Sequence, residues 1–305
     1  RDVAPSRGLG DVYKRQEHSY KSGTPTMGGI AIILAMLTAA LIFGKGKFVY
    51  ITLAVAFAYG VTGFLDDSIK IRYKRNLGLR PYQKIILQLS IALIVAFVVY
   101  KNELIRGDVY IPFTKNTVSL GWGVIPLVVF IFIATTNSVN LTDGLDGLAA
   151  STTLVYMAGI AAIIAIVAAD ADKNGLSLYV KEYQGLLTVC FATVGSLAGF
   201  LLFNCFPAKI FMGDVGSLAL GGVVACVSIL GRLSLYIPIL GVMFATSAVS
   251  DIIQVVHYKR TKRRVFLMAP FHHHLQKKGL SETRIGFLYS TITGIVALIC
   301  VLTLI

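Results

Sequence analysis

Charge is what this chain has least of. Only 14% of its 305 residues are Asp, Glu, Lys or Arg, against about a quarter in an ordinary soluble domain, so a soluble globular protein is excluded. The long apolar runs lack alternation of polar and apolar residues, which excludes a membrane β-barrel. Cysteine is sparse and scattered: Cys190, Cys205, Cys226 and Cys300 form no CxxC pair and have no metal-ligand spacing, so neither a disulfide framework nor a zinc site is expected. Three of them lie in apolar segments and read as small core residues. The first 23 residues are polar and basic and lack the apolar stretch of a signal peptide. Acidic residues are few, 15 against 28 basic, for a net charge of +13. In a soluble protein that surplus would suggest nucleic acid. In a membrane protein it reflects Lys- and Arg-rich cytoplasmic loops, and no nucleic-acid partner is expected.

What the chain does have is hydrophobic length. Apolar residues make up 56% and mean hydropathy is +0.75. A helical span requires roughly 20 apolar residues. Such runs fall at about 27–43, 48–65, 82–100, 122–139, 147–168, 184–203, 215–231, 235–256 and 285–305. The expected fold is an all-α polytopic membrane protein with about nine transmembrane helices. With the N-terminus inside, the inner loops hold Lys70, Arg72, Lys74, Arg75 and Arg80, and the cluster from Lys259 to Arg264 with Lys277 and Lys278. The outer loops hold only Lys45, Lys47, Lys101, Arg106, Lys115, Lys173, Lys181 and Arg232. This asymmetry orients the protein. In the longest outer loop, Val109–Phe113 and Thr117–Leu120 read as a short periplasmic β-hairpin.

Four polar interruptions all fall on the inner side. Asp66 and Asp67 close the second span, where adjacent carboxylates repel and oppose the helix dipole unless a cation, proton or lysine compensates. Charges at membrane depth are functional by default. The segment Asn137 to Gly147 carries Asp143 and Asp146, each followed by Gly; three residues apart, they could share a helix face. The bland reading makes Asp146 the N-cap of the next helix. Asp214, between Gly213 and Gly216 at the start of a span, combines a helix N-terminus suited to phosphate with a carboxylate suited to Mg²⁺. Phe211 beside it could stack on a base or simply face lipid or core. His272, His273 and His274 follow a basic run. Their spacing is wrong for zinc on a helix, whereas imidazoles beside Lys and Arg suit pyrophosphate binding or proton transfer. Anionic lipid headgroups account for part of the basic run. Asp251, Gln254 and His257 are weaker candidates for lining the same cavity.

Five motifs in order carry a resemblance: Gly23-Thr24-Pro25-Thr26-Met27-Gly28-Gly29, Phe64-Leu65-Asp66-Asp67, the stretch from Asn140 to Ala149, Phe211 to Leu218, and Ala269-Pro270-Phe271-His272-His273-His274. Together they resemble the phospho-N-acetylmuramoyl-pentapeptide transferase (MraY) family, within the polyprenyl-phosphate N-acetylhexosamine-1-phosphate transferases. The resemblance covers residues 18–305 as one membrane domain. Residues 1–17 are atypical, and the span that usually precedes Thr24 is absent, so a truncated or hybrid N-terminus is expected. Gln276 stands where the family usually has Glu.

The resemblance implies transfer of phospho-N-acetylmuramoyl-pentapeptide from its UDP-linked donor (UDP-MurNAc-pentapeptide) to undecaprenyl phosphate, giving lipid I and UMP in peptidoglycan synthesis. It implies Mg²⁺ dependence, the cytoplasmic face of a bacterial inner membrane, and a homodimer. On this basis Asp214 binds the metal. Asp66 and Asp67 position or deprotonate the lipid phosphate, or one attacks as a nucleophile. Asn140, Asp143, Asp146, Asn204 and Phe211 hold the uridine end. Lys70, Lys84, His272, His273, His274 and Thr24 contact the substrates, with His273 counted among the catalytic groups. A relative using UDP-N-acetylglucosamine is the nearest rival. An ion-coupled transporter would show charges at mid-membrane and internal repeats, and a non-catalytic scaffold gives no reason for five Asp at one interface.

Overall fold

The computed structural model describes residues 23–73, 78–114 and 116–304. The atypical residues 1–17, and Lys74, Arg75 and Lys115 among the loop cations, lie outside them. The apolar runs form α1 (Gly29–Phe43), α2 (Lys47–Arg72), α3 (Pro81–Lys101), α4 (Val124–Thr142), α5 (Leu148–Lys173), α6 (Ser177–Asn204), α7 (Gly213–Leu230), α8 (Ile237–Leu240), α9 (Val242–Thr261), α10 (Phe271–Lys277) and α11 (Glu282–Leu302). The nine expected apolar segments are all helical, but they are not nine equal spans. Among the described residues, seven helices are long and apolar enough to cross a bilayer. An eighth is broken: the segment Ser234–Leu240 meets α9 at 77°, where Gly241 separates Pro238 of α8 from the helix that follows. At 15 residues α1 is shorter, about 22 Å against a hydrocarbon core of about 30 Å.

The bundle is built around α7. Every residue of 215–230 is buried. Small side chains along α7 let neighbouring backbones approach closely, the usual device for packing helices within a membrane. At Gly63 of α2, a Cβ would collide with the Asp214 backbone carbonyl of α7. At Gly29 of α1, a Cβ would collide with Gly216. These two contacts bring the start of α7 against α1 and α2. Large apolar side chains such as Phe130, Leu202 and Phe287 point outward, as lipid-facing residues should.

The hairpin is present, as β1 (Asp108–Tyr110) and β2 (Thr117–Ser119), antiparallel with Val109 opposite Val118. It is tied to the far end of α7. The Arg232 guanidinium donates to Asp108 Oδ2 at 3.0 Å, and the Arg232 carbonyl accepts from the Tyr110 N–H at 2.8 Å. The guanidinium also lies over the rings of Tyr110 and Tyr179. One buried helix therefore has Asp214 at its first turn and the hairpin anchor just past its last.

Candidate functional site

The second apolar run ends near residue 65, yet α2 continues to Arg72. That extra turn and a half matters. Asp66 and Asp67 are therefore inside a helix rather than at its end, and Lys70 stands one turn further along the same face. Its Nζ lies 2.6 Å from Asp66 Oδ2, 3.1 Å from Asp67 Oδ1 and 3.0 Å from Asp214 Oδ2. Lys84 of α3 reaches Asp214 Oδ2 at 2.8 Å. The remaining oxygens are also engaged. Asp66 Oδ1 accepts from the Leu79 N–H and Asp67 Oδ2 from the Val215 N–H. Asp214 Oδ1 accepts from Asn140 Nδ2 at 2.8 Å, and the same Nδ2 donates to Ser217. Asp66 and Asp67 are buried, and a buried carboxylate needs such partners. Asp214 also sits in the first turn of α7, where the helix dipole favours an anion.

Ligand oxygens of Asp66, Asp67 and Asp214 all lie within 4.8 Å of one another. Three carboxylates against Lys70 and Lys84 leave a local charge of minus one, and the Lys70 ammonium already occupies a cation-sized position among them. An all-oxygen donor set suits a hard divalent ion. The residues therefore fit a metal, and this acidic cluster could hold one.

A cavity of about 460 Å³ opens beside the cluster, within the range of small-molecule sites. Thr26, Lys70, Asn140, Asp143, Phe211 and Asp214 are among its lining residues. Asp143 and Asp146 do not share a helix face as their spacing suggested. α4 stops at Thr142, and both residues lie in the turn before α5, whose N-cap is the left-handed Gly147. The turn points them apart. Asp146 Oδ2 accepts from the Ala208 N–H at 2.9 Å, and its own N–H donates to Glu282 Oε2 at 3.1 Å. It pins the α6–α7 loop rather than capping its own helix. The Asp143 carboxyl makes no hydrogen bond or ion pair among the described residues and faces the cavity. Desolvation first, and then the negative charges of Asp214, Asp67 and Asp146, push it up to about 7.

Asn204 lines the cavity, but both ends of its amide are committed. Its Oδ1 accepts from the Gly147 N–H and its Nδ2 donates to the Ile210 carbonyl. The His residues divide. His272 and His273 are buried in α10 and pack against Gly144, where a Cβ would collide with His272 and lie 3.2 Å from His273 Nε2. The other ring nitrogen of His273, Nδ1, is 3.1 Å from Gln276 Oε1, so Gln276 meets the ring where a Glu was expected. His274 turns away. Its Nδ1 accepts from the Leu267 N–H, and its ring stacks on Phe271. Burial, and then Lys278, lower its affinity for a proton.

Thr24 is not among the cavity-lining residues; Thr26, two positions on, is. Asp251 and His257 do not line the cavity either, and Gln254 braces the loop at Val265 and Phe266. Sequence reasoning missed Ser217, Gln88 and Glu282. Gln88 is fully buried and paired with Asn137 at 2.8 Å. A polar residue inside an apolar run was the available signal for Gln88, and the Asp-Val-Gly-Ser pattern for Ser217. Glu282 gave none, because it looks like an ordinary acidic residue in a first helical turn.

Known proteins resemble this chain over most of its length. The family model for glycosyl transferase family 4 matches residues 48–232. The phospho-N-acetylmuramoyl-pentapeptide-transferase signature 1 matches residues 21–33. A phospho-N-acetylmuramoyl-pentapeptide-transferase of Clostridium novyi (strain NT) is 42% identical over 95% of this chain and 86% of its own length. That of Clostridioides difficile (strain 630) is 42% identical over 94% and 85%, and that of Bacillus mycoides (strain KBAB4) is 45% identical over 88% and 80%. The family-model match runs from the start of α2 to just past the end of α7 and takes in both halves of the lysine-bridged acidic cluster. On sequence and fold together, the chain belongs to the phospho-N-acetylmuramoyl-pentapeptide-transferase family.

Proposed function

We propose that this chain transfers phospho-N-acetylmuramoyl-pentapeptide from the UDP-linked donor to undecaprenyl phosphate, giving lipid I and UMP. We place the reaction at the cytoplasmic face of a bacterial inner membrane, with Mg²⁺ as the cation of the acidic cluster. The observation that carries the reading is the ammonium of Lys70 shared among Asp66, Asp67 and Asp214, with Lys84 adjoining, at the rim of a polar cavity. Phosphoryl transfer asks mainly for positioning and charge neutralisation, and this arrangement offers mobile cations and fixed anions at one end of a membrane bundle.

In the reaction, an oxygen of the lipid phosphate attacks the sugar-bearing phosphorus of the donor. The bond from that phosphorus to the bridging oxygen breaks, and UMP departs with that oxygen. Mg²⁺ held at Asp214, with Asp66 and Asp67 in reach, would neutralise charge on the pyrophosphate. Lys70 and Lys84 move from their carboxylates onto phosphate oxygens. Asn140 keeps Asp214 in place. Asp66 or Asp67 either takes a proton from the lipid phosphate, or attacks that phosphorus itself and expels UMP, after which the lipid phosphate displaces the carboxylate; trapping a phosphorylated aspartate separates the two routes. Asp143 and Phe211 bound the uridine end, while Asp146 and Asn204 hold the loop that shapes it. His273, packed on the turn that carries Asp143, is the imidazole we assign to the site. The homodimer belongs to this reading and is checked by the mass of the solubilised protein.

The test is UMP release from purified protein. Release should require UDP-N-acetylmuramoyl-pentapeptide, undecaprenyl phosphate and Mg²⁺ together. Release from UDP-N-acetylglucosamine instead would assign the chain to the other branch of the superfamily.

A further inference from the structure

A second cavity, of about 1030 Å³, opens at the opposite end of α2. Lys47 begins α2 and Asp66 lies 19 residues on, about 29 Å along the helix. That is close to the thickness of the hydrocarbon core, so the cavity sits at the other membrane interface. Lys45, Lys47, Lys101 and Lys181 all line it. These are four of the eight basic residues that the sequence places on the outer side, gathered from three separate loops. Among the described residues none of the four ammoniums has a carboxylate partner.

The cavity is built rather than incidental. Glu182, buried in α6, accepts the N–H groups of Lys47 and Phe48 at 3.0 and 2.8 Å. A Cβ on Gly185 would collide with the Lys45 carbonyl. Both contacts seat the α1–α2 turn on α6 and fix where its lysines emerge. Glu182 is spent on those N–H groups, and Glu103 is the other acid in the lining. The lining keeps a surplus of two positive charges. Its remaining wall is apolar, with Tyr50, Val98, Leu104 and Leu178, and Phe43, Ile94 and Phe97 on the same helices face outward.

From this geometry we propose that the cavity binds the phosphate headgroup of an anionic phospholipid in the leaflet remote from the acidic cluster. The acyl chains lie along the exposed apolar faces of α1 to α3. Lysine near a membrane surface attracts anionic headgroups, and a soluble phosphate would make no use of the apolar wall. The site is independent of the transfer reaction.

The experiment uses the full chain in detergent and a variant with Lys45→Gln, Lys47→Gln, Lys101→Gln and Lys181→Gln combined. Dioleoyl-phosphatidylglycerol, dioleoyl-phosphatidylcholine and inorganic phosphate are titrated separately, read by native mass spectrometry and by the thermal unfolding midpoint. Each net charge is worth about a five-fold preference, so wild type should favour the anionic lipid over phosphatidylcholine by about 25-fold. The variant should lose that preference while keeping normal UMP release, which shows it is folded. Equal retention of both lipids by wild type, or an undiminished preference in a folded variant, would overturn the proposal. So would an equal response to inorganic phosphate, which would mark a plain anion site. If the four-fold variant does not fold, Lys45→Gln with Lys181→Gln replaces it; it removes the surplus of two charges and should by itself abolish the preference.

Discussion

Replacing Asp143 by Asn should flatten the pH dependence of stability in a direction and size that the structure sets. The Asp143 carboxyl faces the cavity with no ion pair among the described residues, and its proton affinity is pushed up to about 7 by desolvation and by three neighbouring acids. A rise from 3.8 to about 7 means the folded state retains a proton that the unfolded state has released. The stabilisation is complete below about pH 4 and is lost as pH climbs through 7. Three pH units at about 1.4 kcal/mol each would give about 4 kcal/mol. The carboxyl is partly open to the cavity, so solvent screening halves this to about 2 kcal/mol. Rather more than half of the loss, about 1 kcal/mol, falls between pH 5 and pH 8. In a chain of this size that is about 2 °C in unfolding midpoint. The assay is thermal unfolding of both proteins in detergent with a metal chelator, at unit steps from pH 5 to pH 8. The midpoint of the Asn variant should gain on wild type by that amount as pH rises. Saturating Mg²⁺ should shrink the difference, because a nearby cation lets Asp143 ionise more readily. Parallel curves without metal would refute the account of Asp143 as a proton-holding group.

Four further outcomes follow from the same geometry. Asp214→Asn keeps the hydrogen bond from Asn140 but removes the charge that Lys70 and Lys84 share; turnover should fall by about 10³-fold or more with helical content unchanged by circular dichroism. Gly63→Ala places a methyl against the Asp214 carbonyl and should cost about 1–3 kcal/mol, whereas Gly286→Ala, inside α11 and facing open space, should raise stability by up to about 1 kcal/mol. Gln276→Glu sets a charge beside the His273 ring and should move the limb of the pH–rate profile governed by that ring upward by about one unit; superimposable profiles would remove His273 from that titration. Asp146→Ala frees the Ala208 N–H and should raise KM for the nucleotide substrate more than it lowers kcat, and the reverse split would place Asp146 in the chemistry.

Most of the fold could be read from the chain because a bilayer leaves so few options: apolar length without alternation means helices, and lysine asymmetry gives their direction. The principal acids were legible for a related reason. Asp66, Asp67 and Asp214 are expensive beside a membrane, so their presence signals use. What escaped was geometry at helix ends. Apolar patterning stops near residue 65 because Asp66 is polar, but α2 runs on to Arg72 because Lys70 neutralises the two acids from within the same helix. The spacing of Asp143 and Asp146 suggested a common face, but α4 ends at Thr142, the chain between them is a turn, and the left-handed Gly147 then leads into α5. Three His in a row looked equivalent; the α10 helix buries two and sends His274 to the loop at Leu267. Glu282, more than 130 residues from Asp146, was invisible because only tertiary structure gives it a partner.

The full set of partners around the three carboxylates has a consequence for how the site is loaded. Each oxygen of Asp66, Asp67 and Asp214 is already spoken for by Lys70, Lys84, Asn140 or a backbone N–H. Nothing can enter by simple addition; arrival is a trade. A bare divalent ion would have to displace an ammonium from its three carboxylates without giving it a new anion, so its affinity for the substrate-free enzyme should be weak. A pyrophosphate accompanying the ion gives Lys70 and Lys84 a new anion to follow. Calorimetric titration of Mg²⁺ with and without the nucleotide substrate should show that gap directly, with tight uptake only when both are present.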